Sequence, residues 1–143
     1  MAAQRTAEVV WEGSLIEGSG TVRMVSSGVF GEYPVTWASR AEDPQGRTSP
    51  EELMAAAHAA CYAMAFSNHL AGKDMAPERL TVSATYTFVP GTGITEARLD
   101  VKGTVPGLSA DDFAAEAKEG DSKCPVSNAV RGNVEITLNA SAA

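Results

Sequence analysis

Between Leu53 and Lys73 the chain contains no Asp, Glu, Lys or Arg, and this run constrains the fold more than any other feature. The residues before it start a helix. Ser49 can cap, Pro50 suits the first helical position, where its missing N–H costs nothing, and Glu52 completes an S-x-x-E capping box. From there to Gly72 the pattern is helical. Leu53, Ala57, Ala60 and Met64 fall along one face, and Met54, His58, Cys61 and Ala65 along a neighbouring one. A helix apolar nearly all round is buried on most sides. At about 1.5 Å per residue it is roughly 33 Å long, about the width of a small domain. A single domain of 143 residues would struggle to cover all of that surface, so we expect a second copy of the chain to help bury it. His58, Ser67, Asn68 and His69 make the run too polar for a membrane span.

Strand patterns flank the helix. Val9 and Trp11 alternate with Glu8, Val10 and Glu12, Gly18 to Gly20 read as a turn, and Thr21 to Val25 resume an extended run. Tyr33 to Trp37 is a further short strand, with Pro34 favouring its start or an edge. Ala38 to Arg47 is polar, contains Pro44 and Gly46, and reads as a loop. After the helix, Leu80, Val82, Ala84, Tyr86 and Phe88 alternate with Thr81, Ser83, Thr85 and Thr87, the period of a half-buried strand. Pro90 to Gly93 turns the chain, and Ala97, Leu99, Val101 and Val105 form the return strand. Ser109 with Asp112 begins a helix that Gly120 ends. Cys124-Pro125 opens a short helix to Val130, and Val134, Ile136 and Leu138 form a closing strand. Strands gathered on both sides of a central helix indicate an α+β fold built on antiparallel sheets, a single domain over residues 1–143.

Eleven Lys and Arg against eighteen Asp and Glu give a net charge of −7. That sign repels phosphate backbones, and no basic run offsets it, so nucleic acid is not an expected partner. The first residues lack the basic-then-apolar order of a secretory signal, because Arg5, Glu8 and Glu12 interrupt it. Two cysteines without an export signal point to the cytoplasm, where thiols stay reduced and a permanent disulfide is the weaker reading.

Those cysteines are the chain's most reactive groups. Cys61 sits mid-helix, where a cysteine ordinarily serves as a small apolar core residue. Cys124 precedes a proline at a helix start, where unpaired amides and the helix dipole stabilise a thiolate. His58, three residues from Cys61, could join both cysteines as a zinc ligand if the last helix folds back, but the chain has no C-x-x-C pair, and a hydrogen-bonded helix residue facing the core is the favoured reading of His58. A dimer pocket holding an apolar ligand is a third reading.

The run Thr48-Ser49-Pro50-Glu51-Glu52-Leu53, continued by Ala55-Ala56-Ala57-His58-Ala59-Ala60-Cys61, resembles the signature of the family of osmotically inducible protein C and organic hydroperoxide resistance protein (OsmC/Ohr). Lys123-Cys124-Pro125-Val126-Ser127 is similar to the family's second-cysteine motif, and Trp11-Glu12-Gly13 with the Gly18-x-Gly20 turn extends the likeness over nearly the whole chain. The Trp-Glu-Gly start and the His-Ala-Ala-Cys helix are closer to the OsmC branch.

The resemblance implies two chains interlocked as a homodimer around paired central helices, and a thiol peroxidase that needs no cofactor or metal. Cys61 would attack the peroxide and Cys124 would resolve the resulting sulfenic acid. A dithiol or lipoyl-type reductant would restore both thiols. It also implies an arginine held by a glutamate to activate the attacking thiol. The glutamate corresponds to Glu51, and Arg40 is the best match for the arginine, with Arg47 and Arg23 as rivals. Glu51 and Cys61 stand about 15 Å apart along one helix, so an arginine touching both is easier to place if Arg40 and Glu51 of one subunit face Cys61 of the other. Met54, Met64, Phe66, Tyr86 and Phe88 are expected to line an apolar pocket favouring organic hydroperoxides over hydrogen peroxide.

Overall fold

A computed structural model describes residues 2–143. They divide at Pro50/Glu51 into two compact units, each with its own three-stranded sheet.

In the first unit β1 (Ala7–Glu12), β2 (Ser19–Met24) and β3 (Glu32–Val35) form an antiparallel meander in the order β1-β2-β3. The turn between β1 and β2 closes with the Gly18 amide donating to the Ser14 carbonyl at 2.9 Å. Gly20 already belongs to β2, opposite Trp11, and a Cβ there would sit 2.7 Å from the indole. The third strand ends at Val35, not at Trp37. Trp37 instead opens α1 (Trp37–Ala41), in a stretch whose polar composition suggested only loop. The cause is local: Thr36 Oγ1 accepts from the Ser39 amide at 3.1 Å while Ser39 Oγ accepts from the Thr36 amide at 3.0 Å, a reciprocal cap with serine in place of glutamate.

The second unit holds the long helix α2 (Pro50–Ala71), the hairpin β4 (Arg79–Val89) and β5 (Gly93–Thr104), α3 (Ala110–Ser122), α4 (Pro125–Val130) and β6 (Glu135–Ala142). The sheet order is β4-β5-β6. Three of the four strand pairings in the two sheets are antiparallel, as expected; β6 lies parallel to β5. A parallel neighbour requires a crossover, and α3 and α4 supply it. Gly120 does not end α3, which runs on to Ser122 with Lys123 as its C-cap; the glycine packs against Phe66.

One stripe of α2 builds the core. His58, Tyr62, Phe66 and Leu70 recur every fourth residue and are fully buried, and the last three share a cluster with Leu99 and Val101 of β5 and Phe113 and Ala117 of α3. Full burial of such side chains stabilises the fold by about 1.5–3 kcal/mol each. Tyr62 donates its hydroxyl to the Ala117 carbonyl at 2.7 Å, and Phe66 meets Phe113 edge-on at 5.5 Å. The stripe expected through Leu53, Ala57, Ala60 and Met64 faces outward: Ala57 and Ala60 are exposed and Met64 keeps 69% of its surface. Within one chain, then, α2 is buried along one side only. Near its C-terminal end buried His69 joins α2 to α3, 2.5 Å from Glu116, and Lys73 bridges the same carboxylate at 2.9 Å. No helix among the described residues is long and apolar enough to cross a membrane.

Candidate active site

The two cysteines, far apart in sequence, meet where the start of α4 reaches α2. Cys124 is the N-cap of α4 and Pro125 its first residue, so the first amides free to donate outward are those of Val126 and Ser127. The Ser127 amide donates to Cys124 Sγ at 3.5 Å, and the Val126 amide hydrogen-bonds the sulfur of Cys61. Both cysteines are free thiols; Cys124 is fully buried in the core cluster and Cys61, partly buried, packs against that cluster. Burial pushes the Cys61 thiol above its ordinary value, the Val126 amide opposes this, and neighbouring Cys124 adds to the upward push. Two free thiols from distant parts of the chain thus share one neighbourhood, where burial opposes ionisation of Cys61.

One turn before Cys61 on α2 and one turn after Cys124 on α4, a second pair meets. His58 Nε2 is 2.7 Å from Ser127 Oγ, and His58 Nδ1 is 2.8 Å from the Tyr86 hydroxyl on β4. Ser127 Oγ donates to Asp121 Oδ1 at 2.6 Å, and Arg131 pairs with Asp121 Oδ2 at 3.0 Å. Burial lowers the pKa of His58; Asp121 pulls it back up and Arg131 adds to the lowering. Tyr86 is raised by burial and by Cys124, so its hydroxyl keeps its proton. From the sequence, His58 is a candidate zinc ligand and, ahead of that, a hydrogen-bonded helix residue facing the core, and the second is what the structure shows. Ser127, Asp121 and the Tyr86 hydroxyl were not anticipated, since their partners lie far away in sequence; the one available signal was the polar Ser127 at core spacing behind Cys124.

The remaining anticipated residues are distributed as follows. Arg40 lies in the last turn of α1, half-buried, and Glu51 in the first turn of α2, buried; the two belong to different units. Arg47 is exposed, and Arg23 is paired with Glu8 at 2.9 Å. The proposed apolar pocket is not one surface. Met64 and Phe66 stand about 200° apart on a helix of 3.6 residues per turn. Phe66 is core and Tyr86 is nearly buried, whereas Met64 opens onto a groove of about 590 Å³ with Ser67, Asn68, Arg79 and Leu80. A zinc ion on His58, Cys61 and Cys124 would have to displace the hydrogen bond at whichever imidazole nitrogen it took, since both are already engaged. His69, Glu116 and Glu119 bring three ligand atoms within 4.8 Å of one another, but Lys123 already donates to His69 at 2.8 Å and Lys73 neutralises Glu116.

Comparison with known proteins agrees with this geometry. The family model described as OsmC-like protein matches residues 42–139. Peroxiredoxin OsmC of Escherichia coli (strain K12) is 34% identical over 142 residues, covering 97% of this chain and 96% of that protein. Organic hydroperoxide resistance protein OhrA of Bacillus subtilis (strain 168) is 32% identical over 106 residues, 69% of this chain and 71% of that protein. Among solved structures, an organic hydroperoxide resistance protein from Elizabethkingia anophelis superposes with a TM-score of 0.72 at 25% identity over the full length of both chains. Both branches of the family are represented, and the match to the OsmC protein spans more of the chain. With the paired cysteine motifs, the fold and these matches in agreement, the chain belongs to the OsmC-like family.

Proposed function

We propose that this chain is a thiol peroxidase that reduces organic hydroperoxides, with Cys61 as the attacking thiol and Cys124 as its resolving partner. The observation that carries the reading is the meeting of two free thiols, Cys61 of α2 and Cys124 at the start of α4, in one core cluster. The Cys61 thiolate attacks the distal peroxide oxygen, the O–O bond breaks, and the alkoxide takes a proton to leave as alcohol. Cys61 becomes a sulfenic acid. Cys124 then forms an S–S bond with the Cys61 sulfur, and the sulfenic oxygen departs as water. A dithiol or lipoyl-type reductant opens the disulfide by exchange and is itself oxidised to a disulfide. The reaction belongs in the cytoplasm, where such reductants keep thiols reduced.

The thiolate is the nucleophile, yet burial disfavours it, so a cation must approach Cys61. We assign that role to Arg40, held by Glu51, both from a second copy of the chain. The outward Ala57–Ala60–Met64 face of α2 supports such a homodimer, being apolar and uncovered in one chain. We read residues 1–143 as one domain, since the family match spans residues 42–139 across the division at Pro50. Organic substrates are favoured over hydrogen peroxide because an alkyl tail gains about 0.8 kcal/mol per buried methylene, and Cys61, like Ala65 and Val126, lies at the apolar margin of the core.

The test is consumption of cumene hydroperoxide and hydrogen peroxide with a dithiol reductant, for the unmodified protein and Cys61→Ser. Faster loss of the organic peroxide and an inactive variant are expected. Equal inertness of both proteins would sink the reading.

A further inference from the structure

The chain Tyr86–His58–Ser127–Asp121–Arg131 runs in one direction. Arg131 can only donate, so Asp121 accepts at Oδ2 and also takes the Ser127 hydroxyl proton at Oδ1. Ser127 has a single proton and has given it to Asp121, so at 2.7 Å it accepts from His58 Nε2–H. With Nε2 protonated and the ring neutral, Nδ1 holds a lone pair and accepts from the Tyr86 hydroxyl at 2.8 Å. Both ring nitrogens of His58 and the hydroxyl proton of Ser127 are used. Both residues are fully buried, and Tyr86 is 9% exposed.

An apolar contact would hold α4 against α2 equally well and would tolerate sliding. A saturated buried hydrogen-bond chain does not, because any displacement strands a polar group away from water. The His58–Ser127 bond lies one turn from both sulfurs, and Ser127 in addition donates its amide to Cys124 Sγ. A disulfide forms only over a narrow range of Cα separations and sulfur directions, so small shifts of α4 along α2 change the closure rate steeply.

We propose that His58 and Ser127 are positioning residues for the closure step, in which the Cys124 thiol and the Cys61 sulfenic acid form the disulfide and release water. Asp121 and Tyr86 act through them, Asp121 by orienting the serine hydroxyl and Tyr86 by fixing the imidazole tautomer. This rests on the peroxidase reading above and assigns no part of the peroxide-cleaving step to the chain.

The experiment follows a single turnover of the reduced full-length protein with one equivalent of cumene hydroperoxide. Cys61 sulfenic acid is trapped with a dimedone-type probe and disulfide is counted by mass. Ser127→Ala, which removes the hydroxyl's bonds to both His58 and Asp121, should slow closure relative to sulfenic acid formation by about tenfold, the scale of losing the buried bond to His58. Tyr86→Phe removes one oxygen at nearly constant volume and should slow the same ratio by about threefold, while Ser127→Thr, which keeps the hydroxyl, should recover it at least in part. An unchanged ratio in both Ser127→Ala and Tyr86→Phe overturns the proposal, as does an equal loss of both steps in both variants. If the unmodified protein forms neither sulfenic acid nor disulfide, the peroxidase reading fails first and this assignment with it.

Discussion

Lys123, the residue before Cys124, reaches back to His69 near the C-terminal end of α2 and donates to its Nδ1 at 2.8 Å. Because an ammonium can only donate, that nitrogen must carry a lone pair, and the ring's proton sits on Nε2, facing Glu116 at 2.5 Å. A nearly buried neutral imidazole therefore links an anion on α3 to a cation at its C-cap. His69→Ala removes both bonds and should destabilise the fold by about 2 kcal/mol, read as a lower denaturant midpoint with unchanged slope. A midpoint matching the unmodified protein would show the link to be dispensable.

Two glycines in the second unit should differ in their tolerance of alanine. A Cβ at Gly103 would lie 2.6 Å from the Phe113 ring and 2.7 Å from Leu80. Gly103→Ala therefore overpacks the core and should cost about 1–3 kcal/mol. At Gly120 the nearest atoms belong to the Phe66 side chain at 3.0–3.3 Å, and alanine's better helix propensity offsets the crowding. Gly120→Ala should change stability by less than about 1 kcal/mol. Thermal or denaturant unfolding of the two variants side by side checks the contrast.

Acid sensitivity should include a contribution from His58. Its pKa is lowered in the fold from the ordinary 6.5, chiefly by burial. Just below that pH the unfolded chain binds more protons than the folded one, so the contribution is fully present above about pH 6.5 and is lost as the pH falls through the depressed folded value. Unfolding free energies at about pH 7.5 and about pH 5.5 should differ in the unmodified protein and less so in His58→Gln. The same slope in both would assign the acid sensitivity elsewhere. Glu116, lowered by its bond to Lys73, adds a separate loss only below its ordinary 4.5.

The sulfur of Cys124 contributes to holding the Cys61 thiol up. Cys124→Ala removes that neighbour, and the pH midpoint for alkylation of Cys61 by iodoacetamide should move down. An upward or absent shift would contradict the arrangement of the two thiols.

Arg40→Ala should lower peroxide turnover by about a hundredfold, the scale of losing one charge-stabilising group at a reacting centre, with the circular dichroism spectrum unchanged. Full turnover in this variant would pass the activating role to Arg47 or Arg23.

Much of this architecture can be read from the residues alone, and the rest fails for identifiable reasons. The S-P-E-E start and the charge-free run locate α2, the alternation of Leu80 to Phe88 locates β4, and Cys124-Pro125 locates the start of α4. These are local signals. The helix α1 escapes because its cap pairs Thr36 with Ser39, which composition cannot separate from a polar loop. The direction of β6 escapes because its alternation is the same for a parallel or an antiparallel neighbour, and its partner β5 lies across two helices. At the site, both cysteines stand out by residue type, whereas Tyr86 and Ser127 are chosen by His58 across separations of 28 and 69 residues.

The parallel seating of β6 beside β5 has a consequence for how this protein comes to be folded. Glu96 pairs with Glu135, so the last strand cannot dock until the intervening chain has been threaded over the sheet. That intervening chain holds Cys124. Pairings between residues so distant in sequence are entropically late events. Cys61 and Cys124 are brought together in the same way, by packing between elements distant in sequence and not by any local turn.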